Sequence, residues 1–308
     1  MKIPLFYCNI DNFGDRLNEH IFKKLIKLDI QASDIQTSFA IGIGSLMDMC
    51  LFDKKSEFIN KPLLVFSTGF GFDEGGFFHN KDIILPEKLM RNVKCYALRG
   101  KLTLERMKKL TNEGLTAVAI GDGGLLASEL INKNEIEQCY ELGIVPHFAD
   151  KENPIFEKIK KTIPNSIILD VTKEPIEFLK DLAKCKAVIS TAMHPLIAAD
   201  SLEIPNLWGR ISDETTSRYK FYDYYSAFDI KKEPYNLLEN EFNEDTLKNL
   251  IKNYDISKEK LEKIKKDLKE ALKFIKKELI WKYYRAKFLK FISIFVPIKK
   301  LRRKIRII

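Results

Sequence analysis

One of the chain's four histidines, His194, sits in ISTAMHPLIAAD between a run of strand-forming residues, CKAVIST, and a helix-like run closed by a new proline. Ligands bind at the carboxyl ends of strands in open α/β sheets, and an imidazole titrates near neutral pH. A histidine at that seam therefore suits general acid or base chemistry. The plainer explanation is a buried imidazole hydrogen-bonded to a neighbouring strand. His147 in GIVPHFAD also follows a strand, with Pro146 stiffening the turn; it is either a second site histidine or a hydrogen-bonded loop residue. His20, in mid-helix, and His79, in a Gly- and Phe-rich loop, read as structural.

Charged groups at other strand ends could share a cleft with His194. Arg99 in YALRGKLT ends one strand, with Lys101 behind it, and a guanidinium there can offer a bidentate fork to a carboxylate or phosphate. As a mere surface residue at a helix start its charge would oppose the helix dipole. DNFGD places Asn12, Gly14 and Asp15 on the first strand-to-helix loop, where Asp15 is a helix cap or something more. GIGS (42–45), STGFG (67–71, with Gly69 and Gly71) and IGDGG (120–124, with Asp122) are turns whose amides could approach an anion. None of the three is a dinucleotide or P-loop fingerprint. RYKFYDYYSAF sets Arg218, Lys220 and Asp223 among six aromatics, which could grip a sugar face and a phosphate or form the rim of a core.

The elements that must position these residues alternate. Short apolar runs (KIPLFYCNI, SFAIGIGSL, KPLLVFSTGFG, KCYALRG, TAVAIG) are interleaved with amphipathic helices such as RLNEHIFKKLIKL and KLTLERMKKLTNEG. A second series of strands and helices starts near residue 139 with YELGIV, NSIILDVT and CKAVIST. This rhythm predicts an α/β fold with parallel sheets and crossover helices. The expected division is a Rossmann-like unit over 1–138, a second over 139–250, and a basic helical tail over 251–308. In the tail, Leu261, Ile264, Leu268, Leu272, Ile275 and Leu279 recur at helical spacing, up to a stop at Pro297.

Charge is distributed unevenly. The net +9 arises because residues 257–308 carry 19 Lys and Arg against 5 Asp and Glu, leaving 33 basic and 38 acidic residues before them. A mildly acidic body with a basic, aromatic tail points to an anionic membrane surface for residues 281–308, and the acidic body argues against nucleic acid. The five cysteines are dispersed without metal-ligand spacing, which suits reduced thiols in the cytoplasm. No run approaches the roughly 20 apolar residues of a spanning helix, and the N-terminus does not resemble a signal peptide. The expected location is the cytoplasm, peripheral to the inner face of the membrane.

Taken in order, NFGDRLN, STGFG, YALRGKLT, IGDGGLL, GIVPHFAD, AMHPLIAADSLEIP and RYKFYDYYSAF, over residues 4–228, resemble the polysaccharide pyruvyl transferase family, particularly the bacterial exopolysaccharide and capsule ketalases. The resemblance implies a GT-B-like fold of two Rossmann-like domains. It also implies transfer of pyruvate from phosphoenolpyruvate to two hydroxyls of a sugar as a cyclic ketal, with phosphate released. The donor is then phosphoenolpyruvate, with no separate cofactor and no metal, because cationic side chains can supply the charge. The acceptor is a sugar of a surface polysaccharide or its lipid-linked precursor. The resemblance makes His194 the catalytic residue, as acid or base, and Arg99 a donor clamp. Lys220, Arg218, Gly69 and Gly71 complete the donor site, and Asp15, His147, Asp122 and Asp223 fall to the acceptor or the loops. Many members carry Arg-Leu-His where this chain has Ala192-Met193-His194, so Lys220, Arg218 or Arg210 must replace the missing arginine. Two other readings fit the elements: a nucleotide-sugar glycosyltransferase of the same architecture, distinguished by its leaving group, and a non-catalytic membrane- or nucleic-acid-binding module.

Overall fold

The computed structural model describes residues 2–52, 62–73, 87–111, 115, 118–212 and 217–295; His79, Pro297 and the tail beyond Phe295 lie outside the described residues. The chain begins β1 (Lys2–Phe6), α1 (Phe13–Ile26), β2 (Asp29–Ala32), β3 (Ala40–Ile41), α2 (Met49–Phe52), β4 (Leu63–Thr68), β5 (Val93–Leu98), α3 (Lys101–Thr111) and β6 (Ala119–Ile120). A 3-10 helix, Gly123–Glu129, leads to β7 (Tyr140–Val145), α4 (Ile155–Thr162), β8 (Ser166–Ile168), α5 (Pro175–Ala183), β9 (Cys185–Ser190) and α6 (Met193–Ser201). Then follow β10 (Asn206–Arg210), α7 (Tyr219–Ser226), β11 (Tyr235–Asn236), α8 (Glu244–Lys252) and α9 (Lys258–Ile292).

The strands form two sheets, ordered β2-β1-β3-β4-β5-β6 and β11-β10-β9-β7-β8, and every pairing among the described strands is parallel. The fold is therefore α/β, as the alternation predicts. All six residues of β4, LLVFST, are buried, as suits a central strand covered on both faces. Strand order reverses between β1 and β3 in the first sheet and between β7 and β9 in the second. Connections leave in opposite directions at such a point and open a crevice beyond the strand ends. Asp15 and Ser45 belong to the first crevice, His147 and His194 to the second.

Helices packed between the sheets bring the two crevices together. Along α6, MHPLIAADS, every residue except His194 is buried, as expected of a helix enclosed on all sides. One apolar cluster runs from β1, β3 and β4 through α1, α5 and α6 to Val188 and Trp208 of the second sheet. A smaller cluster lies beyond that sheet, under α4 and α8. The C-terminal helix α9 starts with Ser257 as its cap, accepting from the Lys260 amide, then crosses back to the first sheet. There Ile264 and Leu268 fill the space beside Gly121, whose φ of +159° and close neighbours leave no room for a side chain. The evenly spaced Leu and Ile of the tail are thus the inner face of a helix packed on the body. Among the described residues no helix is long and apolar enough to cross a membrane.

Several local expectations need correction. The first strand stops at Phe6, and Cys8, Asn9 and Ile10 lie exposed in a turn closed by the Asn12 amide on the Ile10 carbonyl. SFAIGIGSL contributes only Ala40 and Ile41 as a strand, and Gly44, at φ +142°, keeps just an isolated parallel bridge to Thr68 of β4. GGLLASE is a 3-10 helix rather than an α-helix. In RYKFYDYYSAF, Phe221, Tyr224 and Tyr225 are fully buried, with Phe221 stacked on Trp208 at 4.3 Å, so those rings serve the core and not a sugar face.

Candidate active site

The N-terminal turns of α1 and α6 touch. Asn12 caps α1 by accepting from the Gly14 amide at 2.9 Å, and Gly14 lies so close to the His194 ring that any β-carbon there would overlap Nδ1. The glycine in NFGD is therefore a close-approach residue and not a turn residue. His194 keeps partial exposure, yet its Nε2 is sealed and has no hydrogen-bond partner among the described residues. Burial first, then the positive charges of Lys220 and Arg99, hold its pKa down to about 3, so the imidazole is neutral at physiological pH.

Lys220 comes from the first turn of α7, and its position is fixed from below. Asp200 of α6, wholly buried, accepts from the hydroxyls of Tyr224 on α7 at 2.6 Å and Tyr254 at 2.7 Å, and from Asn206 at 2.6 Å. That knot ties α6 to α7 and so sets the His194–Lys220 geometry. The Lys220 ammonium makes no hydrogen bond or ion pair among the described residues; its one ring contact is with Phe221, 5.6 Å from the centroid. Loss of hydration lowers its pKa to about 8; repulsion from Arg99 adds to this, while Asp15 and Asp150 oppose it. Asp15 is pushed the other way, up to about 7, by burial against the attraction of Lys220. His147 falls to about 4 through burial and Lys220. Its Nδ1 accepts from the Ala149 amide at 3.3 Å, which leaves the proton of the neutral ring on Nε2, and its own amide is held by Thr191 at 2.8 Å.

Arg99 is placed differently. It is fully buried, with Nε donating to Asp223 at 2.8 Å, one terminal nitrogen to the Ser45 hydroxyl at 2.7 Å and the other to the Phe70 carbonyl. Asp223 also accepts from the amide and hydroxyl of Thr103, at 2.8 and 2.7 Å. The guanidinium is fixed in the protein, with one N–H left on each terminal nitrogen. The turn expected to offer amides to an anion is also engaged. Gly69 donates to Gly44 at 3.1 Å, Phe70 to Thr103 at 3.2 Å and Gly71 to Asp48 at 2.5 Å. A β-carbon on Gly69 would come within 2.6 Å of the guanidinium, so Gly69 is the seat on which Arg99 rests.

The remaining candidates have local tasks. Asp122 caps the 3-10 helix through Oδ1 to the Gly124 amide at 2.8 Å, and burial raises it to about 6. Arg218 hydrogen-bonds the Tyr222 hydroxyl. His20 pairs with Glu174 at 3.1 Å on the outer side of α1. The sequence reading missed Ser45, which orients Arg99, and Asp150, whose charge reaches Lys220 and His147. The first follows GIG at a strand end and the second ends GIVPHFAD, so position was the available signal. Among the described residues no group of three or more His, Cys, Asp or Glu could hold a metal ion. What the arrangement offers is one unpaired cation, a fixed second cation, a neutral imidazole and a carboxyl group near its midpoint at neutral pH. That set can bind an anion and exchange protons with it.

Comparison with known proteins gives this geometry a context. The family model described as polysaccharide pyruvyl transferase matches residues 5–208. An uncharacterized protein of Acanthamoeba polyphaga mimivirus is 28% identical over 234 residues, covering 73% of this chain and 73% of that protein. No solved structure matches the chain significantly. The family match takes in Asp15, Arg99, His147 and His194 and stops short of Lys220.

Proposed function

The chain belongs to the polysaccharide pyruvyl transferase family, and from that premise we propose that it transfers pyruvate from phosphoenolpyruvate to a sugar diol, forming a cyclic ketal and releasing phosphate. The observation that carries this reading is the unpaired Lys220 ammonium beside a neutral His194. A half-buried cation with no hydrogen-bond acceptor among the described residues is costly, and an anionic donor would supply one. Lys220 thereby stands in for the arginine that Ala192 replaces. Arg99, buried and held by Asp223 and Ser45, contributes a fixed positive field.

Proton inventory assigns the roles. The methylene C3 of phosphoenolpyruvate must take a proton to make C2 electrophilic. One sugar hydroxyl then bonds to C2, a second displaces the phosphate, and of the two protons they shed one balances that on C3 and the other leaves with phosphate. Asp15, at about 7, is matched to donating the first proton at neutral pH. His194 is already unprotonated and suits the base that takes a proton from the attacking hydroxyl. A bound dianion beside Lys220 raises the basicity of the imidazole by cancelling the repulsion that depresses it. Donor binding thus prepares the base for the acceptor.

Two parallel sheets whose helices α1 and α6 touch at their first turns support a GT-B-like arrangement with the donor between the two crevices. The acceptor is proposed to be a sugar of a surface polysaccharide or of its lipid-linked precursor, met in the cytoplasm. Incubation with phosphoenolpyruvate and a glycolipid acceptor fraction tests the proposal. Acceptor-dependent phosphate release with a matching mass gain on the acceptor is expected. Turnover of a sugar nucleotide instead, with phosphoenolpyruvate inert, would overturn it.

A further inference from the structure

Helix α9 carries two apolar stripes on opposite sides. The inner one, ending at Leu279, is buried on the first sheet. The outer one consists of Phe274, Trp281, Tyr284, Phe288 and Phe291, continued by Phe295 in the 3-10 helix Ser293–Phe295 that follows, each between 58% and 70% exposed. Their spacing of three, four or seven residues keeps them on one side of the helix. Phe288 is nine residues beyond Leu279, two and a half turns, which puts the outer stripe opposite the inner one. Beyond Leu279 the helix stays tied to the body through Ile280 and Tyr283, which pack on the core, and through Lys282 on the Pro62 carbonyl, while Ala286 on the inner side is exposed. Contiguous exposed aromatic surface of this kind marks an interaction face.

Charge identifies the occupant. No acidic residue follows Glu278, whereas Arg285, Lys287 and Lys290 lie exposed on the end of the helix and Lys282 turns back to the Pro62 carbonyl. Helical geometry places Arg285 and Lys287 on either flank of the aromatic stripe. Arg285 lies 5.0 Å from the Trp281 centroid and Lys287 4.9 Å from that of Tyr283. Aromatic rings in a row with cations along both edges match the depth profile of a lipid interface: rings reach the acyl boundary while cations meet phosphates. A second copy would bring like charges together with no carboxylate to pair them. Nucleic acid would need its phosphates against the cations, but here the row of rings lies between them, and the body before the tail is net acidic.

We propose that the outer face of α9 and of the 3-10 helix after it, from Phe274 to Phe295, is an interfacial surface that docks the protein on anionic lipid. This inference is independent of the pyruvyl-transfer reading and survives or fails separately from it.

The two tryptophans make the wild-type chain its own reporter, because Trp208 is buried at 2% exposure and Trp281 is open at 59%. With vesicles containing phosphatidylglycerol, the full-length protein is expected to co-sediment, to show a blue shift of tryptophan emission and to be quenched by brominated acyl chains. With pure phosphatidylcholine, binding is expected to be about tenfold weaker. The triple variant Trp281→Ser, Phe288→Ser, Phe291→Ser should lose co-sedimentation by about tenfold or more while keeping the wild-type circular dichroism and phosphate-release rate. Three results would overturn the proposal: no emission shift or quenching of the wild-type chain, undiminished co-sedimentation of a folded triple variant, or a concentration-dependent dimer or nucleic-acid complex that the triple variant loses while vesicles go unbound.

Discussion

Arg99, fully buried, and Lys220, half-buried, are two cations around the same crevice, and they are treated in opposite ways. Arg99 has a carboxylate, a hydroxyl and a carbonyl within reach of its fork. Among the described residues Lys220 has the Phe221 ring and no hydrogen-bond or ion-pair partner. A structure whose charges serve only stability would satisfy both, since an uncompensated desolvated charge is a net loss. The difference separates a residue that holds the loops of β4, β5 and α7 together from one to which the proposed reading assigns the donor as partner.

The largest expected effect tests the first half of that contrast. Arg99→Ala strands Asp223 in the interior and should destabilise the protein by about 3–5 kcal/mol, read from urea unfolding at neutral pH. Lys220→Met should do the reverse. Stability stays level or rises, while kcat/KM for the donor falls by about 10²–10³-fold. A Lys220→Met protein as destabilised as Arg99→Ala would erase the contrast. Gly14→Ala probes the contact between the two helix starts. The added methyl overlaps the imidazole, so a loss of about 1–3 kcal/mol is expected, together with a fall in turnover as His194 is displaced. At the small end, Asp122→Asn keeps the Oδ1 cap and replaces an oxygen that has no partner, so stability should change by less than about 1 kcal/mol.

The pH dependence sharpens the same comparison. Lys220, lowered to about 8, discharges well before an ordinary lysine, so donor affinity should fall as pH rises through about 8. The sign for stability is opposite. Because the folded pKa lies below the unfolded 10.5, the cost of holding the charge is fully present below about pH 8 and is relieved between 8 and 10.5. Wild type should therefore gain stability relative to Lys220→Met across that interval, which paired unfolding curves would detect.

How far the sequence reaches is clearest at individual residues. His194, His147 and Asp15 were legible as site candidates because each follows an apolar run and precedes helical spacing, which places it at a strand end. The fate of Arg99 was not legible: Asp223 lies 124 positions away, and no local pattern announces that pairing. The glycines misled for a related reason. Gly69 and Gly71 signal a turn whose amides could face an anion, but Thr103, Gly44 and Asp48, all remote in sequence, take those amides first. Edge strands β2 and β11, of four and two residues, were missed because they are too short and too exposed to show a period. In α9 the inner stripe was plain from its Leu and Ile spacing, whereas its landing on the first sheet depends on Gly121.

The claim on which the rest depends is that the Lys220 ammonium is an anion site awaiting its ligand. Calorimetric titration of phosphoenolpyruvate into the wild-type protein and into Lys220→Met at pH 7 tests it most directly. Saturable one-to-one binding by wild type, weakened at least about tenfold by the methionine while the unfolding midpoint holds, is the predicted result. Equal affinity of the two proteins would contradict it.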